Sequence, residues 1–159
     1  MRYFFIRVVV LFVVFASVSG VARAESCRIP LRNVLVAEQD CAYYQTAFRM
    51  MATEKVSVNS FCAKGKFSGP NGTSYRSQVL TSLTVHDTTC ANLKPLDLNP
   101  VLLSKPNCDN LKNVISMLST DFVNINPLCN YGSWQGADGS ARNSMVAARL
   151  SMRTTTARK

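Results

Sequence analysis

Residues 90–129 begin and end with a cysteine, and the centre of this segment reads Lys105-Pro106-Asn107-Cys108-Asp109. Prolines at three positions exclude a long helix over the first half of the segment. Asp109 then caps a stretch whose apolar residues recur every three or four positions, which predicts an amphipathic helix over residues 109–122. Because three of the six cysteines bracket this apolar run, we expect the segment to frame the core and any apolar binding site.

The segments that precede this one also favour helices. Residues 40–56 carry an apolar stripe at steps of three and four, with Asp40 as N-cap. Residues 74–83 are predicted to form another helix, although the threonine-rich residues 81–89 could instead be extended. A short helical turn is predicted at residues 99–103, where Asn99 precedes Pro100.

The remaining segments lack a clear helical stripe. Residues 25–35 are predicted to be extended, and the glycine-rich stretch from Asn59 to Thr73 is predicted to be a loop or a small hairpin. Residues 141–153 are either a weakly docked helix or disordered, and no internal repeat is visible. The predicted fold class is therefore all-α, a small helical domain held together by disulfides.

The N-terminus has the three-part pattern of a secretory signal peptide. Arg2 and Arg7 precede an apolar run of eleven residues, and Ala22-Arg23-Ala24 is an A-x-A cleavage site. Eleven apolar residues are too few for an uncleaved anchor, since a spanning helix needs roughly 20. The predicted organisation is a signal peptide at 1–24, a cysteine-rich domain at 25–132 and a basic, small-residue tail at 133–159, in a secreted, extracellular protein.

All six cysteines follow the predicted cleavage site, with intervening gaps of 13, 20, 27, 17 and 20 residues. In an oxidising compartment such a set predicts three disulfides, and six cysteines allow fifteen pairings that spacing alone does not resolve. The competing interpretation is a zinc site. It is disfavoured because the chain has one histidine and no C-x-x-C motif.

The charge is concentrated at the C-terminal end. The formal net charge is +9, but residues 25–132 carry ten basic and eight acidic residues, whereas residues 133–159 carry five basic residues and Asp138 alone. This tail either contacts anionic surfaces or is a solvated end that aids solubility. Aromatic residues near Arg49 belong to a helix stripe rather than to a basic face, so nucleic-acid binding is not predicted.

Few residues point to catalysis. His86 is the only histidine, and His86-Asp87 near Ser82 lacks a nucleophile motif such as G-x-S-x-G. There is no phosphate-binding glycine loop, and no cofactor or metal is predicted. The chain is therefore predicted not to be an enzyme, with a hydrolase that depends on His86 as a remote alternative. The one N-x-[ST] sequon, Asn71-Gly72-Thr73, lies in a turn and makes Asn71 a candidate glycosylation site.

The cysteine arrangement resembles that of the elicitins and elicitin-like proteins of oomycetes. The resemblance covers residues 41–129 and rests on Ser60-Phe61-Cys62, on Leu98-Asn99-Pro100, on Pro106-Asn107-Cys108-Asp109, and on a last helix that leads through Phe122 to Cys129. It implies a helical fold with the disulfides Cys41–Cys108 and Cys90–Cys129, which leaves Cys62 to pair with Cys27. It also implies a protein that binds a sterol or fatty acid and elicits plant defence, including the hypersensitive response. The chain is separately predicted to be a monomer.

Candidate ligand-lining residues are those on or near predicted inner faces, and methionines among them suit a pliable wall: Phe48, Met51, Val79, Leu83, Leu103, Val114, Met117, Leu118 and Phe122. The alternative function belongs to a different class. It is a secreted cysteine-rich effector or inhibitor that acts through its surface on a host extracellular receptor or target protein, with a solid core and no lipid ligand.

Overall fold

The computed structural model describes residues 24–153 and shows two antiparallel four-stranded sheets, each with one helix. Strands predominate, so the predicted all-α fold is wrong. The elements in chain order are β1 (Ser26–Pro30), β2 (Val34–Val36), α1 (Cys41–Met50), β3 (Val56–Ser68), β4 (Ser74–His86), β5 (Leu96–Asp97), β6 (Val101–Leu103), α2 (Lys105–Ser116), β7 (Val123–Gln135) and β8 (Ala141–Met152). The predicted signal peptide lies almost entirely outside the described residues.

The two sheets have the same topology. In the first, β4 is the central strand, with β3 along one edge and β1 followed by β2 along the other. In the second, β8 is central, flanked by β7 on one side and by β5 and β6 on the other. The order of elements within each sheet is also the same, because a helix follows the second short strand and a long hairpin follows the helix.

The chain is thus a tandem repeat, contrary to the reading that no repeat is visible. Cys41 and Cys108 lie 67 positions apart, and so do Cys62 and Cys129. The same spacing relates the turn glycines Gly72 and Gly139, and the burial pattern of β3 is the same, residue by residue, as that of β7. We call residues 26–86 the N-terminal repeat and residues 93–153 the C-terminal repeat.

Along the two central strands, β4 and β8, buried residues alternate with more exposed ones. In β4 every second residue from Ser77 to Val85 is buried, and β-branched residues are frequent, as expected for a pleated strand with one face on the core. The predicted helix at 74–83 is therefore wrong. In β8 the buried residues Ser144, Val146, Ala148 and Leu150 follow the same period of two, so residues 141–153 are neither a docked helix nor disordered. The boundary drawn at residue 132 falls inside β7.

Both predicted principal helices exist, with different bounds. α1 ends at Met50, short of the predicted bound, and residue 56 belongs to β3 instead. α2 begins at Lys105, with Pro106 in its first turn, where a missing amide hydrogen costs nothing. Asp109 therefore lies inside the helix rather than capping it, and Asp40 makes no side-chain cap hydrogen bond. Residues 99–103, predicted as a helical turn, instead lead into the strand β6. The extended conformation predicted for residues 25–35 is confirmed by β1 and β2.

The hairpin between Asn59 and Thr73 exists, but its strands are thirteen residues long. Its turn needs Gly72, whose φ of 75° lies in the left-handed region that glycine occupies without strain. Gly139 has the equivalent role in the second hairpin, with φ of 78°. The dipeptides Asn71-Gly72 and Asp138-Gly139 are both typical of tight hairpin turns, which explains why two different sequences form the same turn.

Three disulfides are present, as the cysteine count predicts, but all three predicted pairings are wrong. The bonds are Cys27–Cys90, Cys41–Cys62 and Cys108–Cys129. Two of them are equivalent, because each joins a helix to the following long strand across 21 positions. The third ties β1 to the segment that connects the two repeats. Of the pairings implied by the elicitin resemblance, Cys41–Cys108 would have joined one repeat to the other, whereas each observed helix-to-strand bond lies within one repeat.

The two repeats pack against each other and share one hydrophobic core. Their junction contains two equivalent backbone hydrogen bonds: the Arg32 amide donates to the Leu118 carbonyl, and the Asn99 amide donates to the Met51 carbonyl, both at 3.0 Å. The exchange is reciprocal, as in a symmetric dimer where the same patch is used on both sides. The chain therefore has the geometry of a dimer fused into one polypeptide.

Candidate functional site

The sequence-predicted lining residues do not enclose a ligand cavity. Six of the nine are core residues that are 0% to 7% exposed: Phe48, Met51, Val79, Leu83, Leu103 and Leu118. Val114 packs against this core as a partly buried side chain. Met117 and Phe122, by contrast, are 57% and 66% exposed. The set is divided between the packed interior and the surface, so it does not form one site.

The surface instead has two apolar grooves at the junction between the repeats. The first, which we call the Met50 groove, has a volume of about 250 Å³ and lies between α1 of the N-terminal repeat and β6 of the C-terminal repeat. Tyr43 and Met50 form its helical wall, and both are about half exposed. Burial raises the pKa of the Tyr43 hydroxyl. The remaining lining residues are Thr46, Ala47, Val101, Leu102, Leu103, Ser104, Asn107 and Arg142.

The second groove, which we call the Met117 groove, has a volume of about 420 Å³. Met117 of the C-terminal repeat faces β2 and the first hairpin turn of the N-terminal repeat. The lining residues are Arg32, Asn33, Leu35, Gly69, Pro70, Asn71, Thr73, Tyr75 and Met117. Three of them, Leu35, Tyr75 and Met117, are the repeat equivalents of Leu102, Arg142 and Met50 in the Met50 groove. The two grooves are therefore related by the internal symmetry.

The chemistry of the two grooves has diverged. The wall position held by the uncharged aromatic Tyr75 in the Met117 groove is held in the Met50 groove by Arg142, whose guanidinium lies 3.5 Å from Asp138. Hydrogen bonds from Ser140 lower the pKa of the Asp138 carboxyl. Each groove thus has one arginine among its lining residues, Arg142 in the Met50 groove and Arg32 in the Met117 groove, but only the Met117 groove is flanked by the sequon.

A second pair of equivalent contacts shows the same divergence. In the N-terminal repeat, Lys64 forms an exposed ion pair of 2.8 Å with Glu38, which lowers the pKa of the glutamate. In the C-terminal repeat, the equivalent positions hold Tyr131 and Lys105, and the ammonium group lies 5.2 Å from the ring centroid. An ion pair in one repeat is replaced by a cation–π contact in the other. The two contacts occupy equivalent positions, but their surface chemistry differs.

The single histidine has a serine partner that its sequence neighbours did not suggest. Ser57 Oγ lies 2.7 Å from His86 Nε2 on adjacent strands, in an exposed position. Ser82, the nearby serine considered from the sequence, is not in this contact. The strand pairing that joins residues 57 and 84 is the only signal that could have identified Ser57, and it requires recognising β3 and β4.

His86 lines an open depression of about 410 Å³, together with Lys55, Asp87 and Lys94. Within residues 24–153 the structure shows no carboxylate hydrogen-bonded to the other ring nitrogen of His86. A catalytic triad needs that third group to hold the imidazole in the required tautomer. The pair is therefore an exposed polar contact without the remaining parts of a triad.

No group of three or more histidine, cysteine, aspartate or glutamate side chains among the described residues is placed to hold a metal ion. No helix in this part of the chain is long and apolar enough to cross a membrane.

Fold and grooves together define a disulfide-bonded protein of two equivalent repeats, each with the element order β-β-α-β-β and antiparallel strands, whose surfaces have diverged. Comparison of the chain with protein-family models, with curated proteins and with solved structures gives no match.

Proposed function

We propose that the protein is secreted and non-enzymatic, and that it acts on an extracellular protein through its surface while carrying no sterol or fatty acid in its core. The observation that carries this proposal is the packing of the interior, where six residues expected to line a lipid cavity are closed into the shared core. The lipid-carrier function came from the elicitin resemblance. That resemblance lends it no support, because the fold and the disulfides that it implied are wrong.

We assign the Met50 groove as the surface that binds the extracellular partner protein. Tyrosine contributes much of the binding energy at many protein interfaces because it buries a large rigid ring and keeps a polar tip. Methionine adapts to partners of different shape. Tyr43, Met50 and Leu102 line this groove, and the Arg142 guanidinium in its wall is paired with Asp138 at 3.5 Å. This combination suits a partner that inserts an apolar side chain next to a polar group that can accept a hydrogen bond from the guanidinium.

Three disulfides fit an extracellular location, since such bonds persist in oxidising compartments. They also fit the proposed role, because a crosslinked scaffold presents a groove whose walls are fixed before the partner arrives. Rigid presentation reduces the ordering cost of binding.

A titration with a fluorescent sterol and a fluorescent fatty acid tests the claim about the core. The full secreted chain at micromolar concentration is expected to give no saturable signal with either probe. Saturable binding that an unlabelled sterol displaces would contradict the proposal and restore the lipid-carrier function.

Photocrosslinking tests the surface. A photoreactive amino acid is placed at the exposed Thr46 in the Met50 groove, and the matched control places it at Asn113, the equivalent position on α2. Only the Thr46 position should capture a protein from extracellular fluid. The purified partner should then bind at least about tenfold more weakly to the M50E variant, as for loss of an interface anchor, and with unchanged affinity to M117E. Equal effects of the two variants, or capture from both positions or from neither, would overturn the assignment.

A further inference from the structure

We propose that Asn71 carries an N-linked glycan that covers the Met117 groove, so that the two symmetry-related grooves are not equally available and the Met50 groove is the one open to a protein. This inference rests on the proposed secretion, because the modification requires passage through a eukaryotic secretory pathway.

The position of the sequon is suited to the modification. Asn71, Gly72 and Thr73 are all exposed at the tip of the hairpin between β3 and β4. The turn is held by backbone hydrogen bonds from Gly69 to Thr73 and from Gly72 to Gly69, of 2.8 Å and 3.0 Å. Among the hydrogen bonds described for residues 24–153, the side chains of Asn71 and Thr73 take part in none. Both are therefore free to engage a glycosylating enzyme without breaking the fold.

The chemistry is a transfer without redox change. The side-chain amide nitrogen of Asn71 forms a bond to the anomeric carbon of the first N-acetylglucosamine of a lipid-diphosphate-linked oligosaccharide. The bond between that carbon and the diphosphate oxygen breaks, the lipid diphosphate leaves, and the amide loses one proton to solvent. The product is a neutral glycosylated amide.

The glycan is placed to lie over the groove because its attachment residue forms part of the wall. Asn71 and Thr73 line the same depression as Tyr75, Leu35 and Met117. A pyranose ring has an apolar face of C–H groups, which packs against an aromatic ring such as that of Tyr75. Covering Met117, which is 57% exposed, removes apolar surface from water.

The hairpin between β7 and β8 has no glycosylation sequon at the equivalent position. Its turn has the same conformation, but Asp138-Gly139-Ser140 stands where the first hairpin has the sequon. A carboxylate cannot accept the sugar in this linkage. Glycosylation therefore distinguishes the two symmetry-related surfaces.

The experiment uses the full chain secreted from a eukaryotic host. Mass spectrometry before and after peptide-N-glycosidase treatment is expected to show one glycan, at Asn71, that is absent from N71Q and from T73A. T73A keeps the asparagine in the turn, so it remains informative if N71Q folds poorly. Absence of a glycan at Asn71 in the wild-type chain would overturn the modification.

Peroxide oxidation then tests coverage of the groove, with Met50 as the internal control because it occupies the equivalent position and is 48% exposed. Met117 in the glycosylated chain is expected to oxidise at least about threefold more slowly than in T73A, since methionine oxidation follows exposure. The Met50 rate should be the same in both proteins. Equal Met117 rates would overturn the covering role even with the glycan in place, and neither result depends on a partner for the Met50 groove.

Discussion

The backbone amide of Arg32 donates a 3.0 Å hydrogen bond to the carbonyl oxygen of Leu118, across the junction between the two repeats. In the equivalent hydrogen bond, the Asn99 amide donates to the Met51 carbonyl at the same distance. Asn99 is the repeat equivalent of Arg32, and Met51 is that of Leu118. These bonds show that each repeat uses the same surface to contact the other. The shared core and the position of the two grooves both follow from that arrangement.

A shared core predicts one cooperative unfolding transition. Trp134 is the only tryptophan and lies in β7 of the C-terminal repeat, so its fluorescence reports on that repeat, whereas far-ultraviolet circular dichroism reports on both sheets. In urea the two signals should change with the same midpoint, as in a two-state transition. Separate midpoints would show that the repeats unfold independently and that the junction contributes little.

The N-terminal repeat has a buried pair of hydroxyl groups where the C-terminal repeat has two side chains without hydroxyls. Substitutions of the two hydroxyl residues are therefore expected to have non-additive effects on stability. Ser60 Oγ and Thr81 Oγ1 form a buried hydrogen bond of 3.1 Å between β3 and β4, and the equivalent positions in the C-terminal repeat hold Pro127 and Ala148. S60A leaves the Thr81 hydroxyl without this partner and should lower the free energy of unfolding by about 1 to 3 kcal/mol. The double variant S60A/T81A should cost at least about 1 kcal/mol less than the sum of the two single changes. Additive costs, measured by urea unfolding, would show that the two hydroxyls do not depend on each other.

We expect the Ser57–His86 contact not to support catalysis. Hydrolysis of generic ester and peptide substrates by the wild-type chain should equal the rate in buffer, and S57A and H86A should leave it unchanged. His86 is exposed and Ser57 is only partly buried, so each variant should change the free energy of unfolding by no more than about 0.5 kcal/mol. A measurable hydrolysis that both substitutions abolish would instead make the pair a nucleophile and its base.

Parts of the fold could be predicted from the sequence because their patterns were unambiguous. The stripe on residues 41–50 has helical spacing and forms a helix. The strand β8 was missed because alanine, arginine and methionine favour helices, while its alternation is carried by small residues such as Ser144 and Ala148. Tertiary context decided that segment, since the burial of alternate positions outweighs intrinsic helix propensity.

The repeat was missed although its signals were present. The gap of twenty residues occurs twice, between Cys41 and Cys62 and between Cys108 and Cys129, and each gap is followed by glycines at the same spacing. At most other equivalent positions the two repeats have different residues, so a comparison of hydropathy along the chain does not show that they are repeats. The grooves were beyond sequence reasoning for a different reason: each combines a helix of one repeat with a strand of the other, and only the packing of the repeats brings those residues together.

The disulfide connectivity tests the tandem-repeat architecture most directly. Peptide mapping of the unreduced protein should find Cys41 joined to Cys62 and Cys108 joined to Cys129, one bond within each repeat, with Cys27 joined to Cys90. Bonds between Cys41 and Cys108, or between Cys90 and Cys129, would contradict two equivalent repeats with a shared, packed core and would favour the helical, lipid-binding fold.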